Sequence, residues 1–279
     1  MTAVDFGTAI ITTTRCRVMG ILNVTPDSFS DGGRFVAVED AVAHGIDLAA
    51  HGADVVDVGG ESTRPGAERV TAAEELRRVL PVVRGLAAAG VPTSIDTTRA
   101  RVASTALEAG ASMINDVSGG LADPDMARVV ADADVPWVLN HWRGPSRIMA
   151  AFADYTDVVA DVRAELLARV DAVTSAGVAG SRLILDPGLG FAKRPEHDLA
   201  LLAAIDRIVD IGLPVLVGAS RKRFLGEVLA DGRAASERDA ATLATSVIAA
   251  RAGVWAVRVH DPAATADALR VVAALDRLS

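Results

Sequence analysis

The chain has 279 residues and is 51% hydrophobic, enough to bury a large core within one domain. Only 4% of residues are aromatic while Ala, Val, Leu and Gly abound, which suits helices packed on parallel strands and disfavours an all-β sandwich. A net charge of -8 argues against a broad electrostatic footprint for nucleic acid or an anionic membrane, so an anionic small ligand needs a local positive site.

The stretch through Thr14 carries Asp5 and no Lys or Arg, unlike the basic start of a signal peptide. Residues 1–16 read as an extension leading into the first strand of a domain covering 1–279. Cys16 is the only cysteine, so no intramolecular disulfide can form and a cytoplasmic location is expected, with Cys16 serving packing alone. No uninterrupted apolar run is long enough to span a bilayer, and no membrane partner is expected.

Eight short apolar runs follow in order, each ending at a polar residue or glycine. They are Val18–Leu22 before Asn23, Val55–Val58 before Gly59, Ser94-Ile95 before Asp96 and Met113-Ile114 before Asn115. Trp137–Leu139 before Asn140, Leu183–Leu185 before Asp186, Val215–Val217 before Gly218 and Trp255–Val257 before Arg258 complete the set. Between them Leu76, Val79, Leu80 and Val83 follow helical spacing, as do Val158, Val162, Leu166, Val170 and Val173. Gly90, Gly110 and Gly177 each follow such a stretch, where a left-handed C-cap residue belongs. Strand ends recur every 34 residues or about that, predicting a single-domain (β/α)8 TIM barrel, with a doubly wound open sheet as the alternative. In a barrel the functional side chains sit at the C-terminal strand ends, where the polar residues just named stand.

Several chemistries lack their marks. No GxGxxG, GxxxxGK[ST] or HExxH occurs, and no GxSxG elbow marks a nucleophile. Gly188-Leu189-Gly190 is too short to count as a phosphate loop. His44, His51, His197 and Asp134 have no assigned role and are expected at the surface.

Two longer segments carry more information. Met19 to Gly33 reads MGILNVTPDSFSDGG and Gly52 to Ala67 reads GADVVDVGGESTRPGA. After them come Ser94-Ile95-Asp96, Ile114-Asn115-Asp116, Leu185-Asp186-Pro187-Gly188, Phe191-Ala192-Lys193, Gly218-Ala219-Ser220-Arg221-Lys222 and Arg258-Val259-His260. In order and approximate spacing these resemble the signatures of the dihydropteroate synthases, from Met19 to about Asp261. The resemblance implies condensation of a dihydropterin methylene diphosphate with p-aminobenzoate, releasing pyrophosphate. Rival readings are a pterin-dependent methyltransferase barrel and a catalytically silent pterin-binding paralogue.

The resemblance also implies roles. Asp186 would accept paired hydrogen bonds from the pterin's donor edge, with Asn115 and Lys222 completing that contact. Alone, an Asp-Pro-Gly more often caps a turn, and Arg221-Lys222-Arg223 more often forms a solvated basic turn. Asp96 would favour positive charge developing on the ring, its ordinary role being an N-cap for a helix near Ala100. Arg258 and His260, two apart on the eighth strand, would hold the diphosphate with Thr63. Asn23 and Asp31 would serve Mg2+, which needs few protein ligands beside phosphate oxygens and water. Phe29, Thr63, Arg64, Pro65, Phe191 and Ser220 would form the aminobenzoate pocket, with Arg64 also acting in catalysis and the helix start near Lys222 favouring the carboxylate. The first two strand-to-helix segments, 25–33 and 59–66, would close over the site. A homodimer is implied on the same ground. Asn140 stands where many members carry methionine, and Arg223 replaces a serine found in part of the family.

Overall fold

Side chains on a strand alternate between faces, so strands covered on both sides need apolar residues at nearly every position. All eight expected runs are strands: β1 Arg17–Asn23, β2 Val55–Gly59, β3 Thr93–Asp96, β4 Met113–Asp116, β5 Trp137–Asn140, β6 Leu183–Asp186, β7 Leu216–Val217 and β8 Ala256–Val259. The computed structural model describes residues 15–24, 34–61, 69–145 and 147–278. Every pairing is parallel, in the order β6-β5-β4-β3-β2-β1-β8-β7, and a bridge between Leu185 and Val215 joins the two ends. The result is a nearly closed eight-stranded barrel with helices between the strands, and the open-sheet alternative falls.

The helices are α1 Arg34–Ala50, α2 Ala72–Ala88, α3 Ala100–Glu108, α4 Met126–Ala133, α5 Val158–Ser175, α6 Pro195–Ala203, α7 Asp206–Val209, α8 Arg223–Leu229, α9 Asp239–Arg251 and α10 Pro262–Asp276. The expected stripes bury Val79 and Val83 on α2, and Val158, Val162, Leu166 and Val173 on α5. Thr71 caps α2 through the amide of Glu74, and Asp157 caps α5 through those of Val159 and Ala160. Gly90, Gly110 and Gly177 all have positive φ just past a helix end, as the spacing predicted.

Two apolar layers result. Outward-facing Val56, Val58, Ile95, Ile114 and Leu139 join the helix stripes in one large cluster. Met19, Val55, Met113, Val138, Ile184, Leu216, Trp255 and Ala256 form a separate cluster that plugs the barrel interior. Two residues further along five of the strands the inward positions turn polar. Val55 gives way to Asp57, Met113 to Asn115, Val138 to Asn140, Ile184 to Asp186 and Ala256 to Arg258. Several strands also run one or two residues beyond their apolar runs, so Asn23, Asp96, Asn140 and Asp186 are final strand residues and Arg258 lies inside β8.

Ile184 is fully buried in the plug beneath Asp186. Ile184→Ala should lower the unfolding free energy by about 2–5 kcal/mol in urea denaturation. A loss below about 1 kcal/mol would show that this layer is not tightly packed.

Candidate active site

Register brings the mouth together. β1 pairs Asn23 with Gly59, β2 pairs Gly59 with Asp96, and β3 pairs Asp96 with Asn115. Gly59 leaves the centre of this row bare: a Cβ there would lie 3.5 Å from Oδ2 of Asp96 and 3.8 Å from Oδ1 of Asn23. Across the mouth β5 pairs Asn140 with Asp186. Gly218, just past β7, leaves a second bare spot, where a Cβ would lie 3.8 Å from both Oδ2 of Asp186 and Nζ of Lys222 and 3.9 Å from Cβ of Arg258. Asn23, Asp96, Asn115, Asp186, Lys222 and Arg258 therefore share one barrel end.

Arg258 organises this end. Its Nε donates to Oδ2 of Asp57 at 2.6 Å and its Nη2 donates to Oδ2 of Asp96 at 2.9 Å. Asn115 Nδ2 donates to the same Asp57 oxygen at 2.8 Å. Asp57 is fully buried, and its Oδ1 has no partner among the described residues. The sequence reading missed Asp57; its signal was a lone acid at an inward position inside the apolar run Val55–Val58. Burial, with Asp57, Glu75 and Asp116 nearby, pushes Asp96 up to about 7 against the opposing charge of Arg258. Asp96 does not cap the next helix: the amide of Ala100 donates to Oδ2 of Asp123 at 2.8 Å.

Asp186 divides its two oxygens between turn and site. Oδ1 accepts from the amide of Gly188 at 2.7 Å, the expected turn cap, while Oδ2 faces Gly218 and Lys222. Burial raises its pKa, and Lys222 is the foremost opposing charge. Lys222, the N-cap of α8, donates to the carbonyl of Leu189, and its ammonium lies 4.8 Å from the Phe191 ring centre. Ser220 and His260 meet, with Oγ 2.8 Å from Nδ1 and the His260 amide donating back to Oγ at 3.2 Å. Arg223 is 75% exposed beside Glu227, away from this contact.

A second set of charges lies beneath the β6–α6 connection. Lys193 Nζ donates to the carbonyls of Gly188 at 3.0 Å and Phe191 at 3.1 Å, and lies 3.0 Å from Nδ1 of His141. Burial pushes Lys193 down to about 7, opposed by Asp198 and Asp186. Burial and the Lys193 charge hold His141 at about 4, so its neutral ring accepts at Nδ1 and donates from Nε2 to Glu165 Oε2 at 2.9 Å. Although burial pushes Glu165 up, bonds from His141 and Arg143 bring it down to about 2. His197 is also buried, contrary to expectation, packed edge-on to Tyr155 at 5.1 Å. His44 and His51 are exposed, as is Asp134, which pairs with Arg182.

Asn140 donates to the carbonyls of Val117 and His141 at 2.9 Å each, tying the ends of β4 and β5 together. Glu61 and Arg69 pair at 2.8 Å across segment 62–68, and Glu61 also binds Arg99, so both flanks of that segment are fastened. Phe29, Asp31, Thr63, Arg64 and Pro65, and so the core of both expected closing loops, lie outside the described residues. A groove of about 460 Å³ between α3 and α4, lined by Arg101, Glu108, Arg128 and Asp132 among others, carries no residue of this mouth.

Known proteins match this chain over most of its length. Residues 19–260 match the family model described as pterin binding enzyme. The chain is 56% identical over 263 residues to the dihydropteroate synthase of Mycobacterium leprae, covering 92% of this chain and 93% of that one. Dihydropteroate synthase of Xanthomonas albilineans with 4-aminobenzoic acid superposes with a TM-score of 0.92 at 47% identity, over 99% of this chain and 98% of that one. The same enzyme in complex with 7,8-dihydropteroate gives 0.89 at 45% identity, covering 98% of each chain. The chain belongs to the pterin-binding enzyme family and, within it, to the dihydropteroate synthases.

Proposed function

We propose that the barrel mouth condenses 6-hydroxymethyl-7,8-dihydropterin diphosphate with p-aminobenzoate, giving 7,8-dihydropteroate and pyrophosphate for folate synthesis. The observation that carries this reading is the convergence of Asp96, Asn115, Asp186, Lys222 and Arg258 above the apolar plug. The carbon–oxygen bond of the methylene diphosphate breaks and its electron pair leaves with pyrophosphate. The aniline nitrogen then bonds to the methylene carbon and loses a proton. No protein nucleophile is needed.

Each residue has a share in this. Oδ2 of Asp186 and the Asn115 amide bind the pterin edge, and Lys222 supplies a donor to its other polar atoms. Asp96, when ionised, favours the positive charge that spreads over the ring as the bond breaks. Arg258 and His260 face the leaving group, joined by Thr63. Phe191 and Ser220 line the aminobenzoate side with Phe29, Thr63, Arg64 and Pro65, and Arg64 assists turnover from the second loop.

Mg2+ fits the donor set. Among the described residues no three acids, histidines or cysteines stand together as a metal cage. Asn23 offers one hard amide oxygen at the mouth, and Asp31 would add a carboxylate. Mg2+ takes few protein ligands when it arrives with phosphate, and there it would neutralise charge on the departing pyrophosphate. The reading includes a homodimer, for which Leu199 on α6, Val228 on α8 and Ile248 on α9 offer exposed apolar surface. It also includes a cytoplasmic setting, which suits a lone unpaired Cys16. Among the described residues no helix is long and apolar enough to cross a membrane.

Purified protein should release pyrophosphate and form dihydropteroate, lose this activity on chelation and recover it with Mg2+. Intact pterin binding without turnover would instead mark a silent paralogue. Asp57→Asn removes the charged acceptor shared by Asn115 and Arg258, a loss of about 1.5–3 kcal/mol for such bonds. Its KM for the pterin diphosphate should rise at least about tenfold, and an unchanged KM would contradict the arrangement. Protonation of Asp96 removes the negative charge facing the developing cation. The rate should therefore climb as pH rises through the range near 7 where Asp96 ionises. A flat profile between about pH 5 and 9 would exclude that role.

A further inference from the structure

Lys193 is 7% exposed, and its ammonium meets three acceptors, one for each of its N–H bonds. Two are carbonyls of the segment between β6 and α6, at Gly188 and Phe191; the third is the His141 ring just past β5. The segment itself is strained and tightly seated. Ala192 has φ 49°, and Gly188 at φ 69° approaches so closely that a Cβ would lie 2.4 Å from the His141 carbonyl.

Behind Lys193 the support reaches α5. His141 is held by Glu165, and Glu165 by Arg143. The Arg143 guanidinium lies 3.8 Å from the centre of the Tyr155 ring, while the Tyr155 hydroxyl donates to the carbonyl of Ala192 at 3.1 Å. The segment is thus held from below by Lys193 and from the side by Tyr155. In front of it Phe191 packs against the Lys222 ammonium, within the site.

We propose that Lys193 is a positioning residue for the aminobenzoate wall, clamping the β6–α6 segment on the His141–Glu165 pair so that Phe191 stays against Lys222. This rests on the reading of Phe191 as part of that wall. A lysine that merely fills the core would affect both substrates alike. The clamp acts first on Phe191, through its own carbonyl. The pterin contacts Asp96, Asn115 and Arg258 are fixed through Asp57 on the other side of the barrel, while Asp186 and Lys222 meet the segment through the Gly188 amide and the Leu189 carbonyl.

The test is steady-state kinetics on Lys193→Met, with far-UV circular dichroism to establish folding. The KM for p-aminobenzoate should rise at least about tenfold with kcat within about threefold of wild type, and the KM for the pterin diphosphate, whose contacts Asp186 and Lys222 also touch the segment, should rise clearly less. Equal rises in both KM values, or no change, would overturn the proposal. Tyr155→Phe, which releases only the Ala192 carbonyl, should shift the same constant in the same direction by about threefold, and it serves if Lys193→Met does not fold. In wild-type protein labelled with 15N-lysine, one ammonium should exchange slowly with water and be absent from Lys193→Arg. Rapid exchange of every lysine ammonium would also overturn the clamp. Failure of the wild-type protein to make dihydropteroate would instead count against the proposed reaction, leaving the ammonium measurement to test the clamp itself.

Discussion

The mouth of the barrel depends on one buried arrangement, a guanidinium shared by two carboxylates. Arg258 reaches from β8 to Asp57 on β2 and Asp96 on β3, so three strands are tied at the height where the apolar plug ends. Removing either carboxylate would leave the guanidinium and the remaining buried acid imperfectly compensated, where such losses are severe. A buried ion pair of this kind adds little net stability compared with apolar packing. Its physical return is geometric, since Asn115 hangs from the same Asp57 oxygen and Asp96 is held facing the mouth.

The same geometry explains why the fold could be read from the chain. A parallel barrel strand must be apolar on its outer face throughout and on its inner face until the plug is complete. Most strands therefore mark their C-terminal ends by inward polar residues, which is how Asn23, Asp96, Asn115, Asp186 and Arg258 became visible. The rule also explains the boundary errors. Outward residues such as Val259 continue a strand after its inward partners have turned polar, so β8 extends past Arg258.

Residues that act on other residues were harder to see. Asp57 lies between two valines, where a lone acid inside an apolar run signals burial, but nothing local names the arginine it is buried for, 201 positions away. Lys193 stood within the quoted Phe191-Ala192-Lys193 motif, but its acceptors include a histidine 52 positions earlier. For Asp96 only the ordinary alternative, a helix cap, fails. Its spacing before Ala100 suited a helix cap, yet its side chain is committed to Arg258, and Asp123 from the next connection takes the cap. Contacts set by closure of the barrel have no sequence period, whereas helices and strands do.

Charge balance at the mouth limits how the reaction can proceed. Lys222 and Arg258 stand against Asp57, Asp96 and Asp186, so this cluster holds no surplus of positive charge for a diphosphate. Arg258 has two of its donors on carboxylates, and Lys222 has Leu189 and Phe191 beside it. A neutral pterin with a donor edge suits such a setting, because carboxylates are the acceptors it needs. A pyrophosphate leaving group does not, unless neutralising charge enters with it. That imbalance supports the proposed Mg2+, for which Asn23 offers one amide oxygen at the mouth and Asp31 would add a carboxylate.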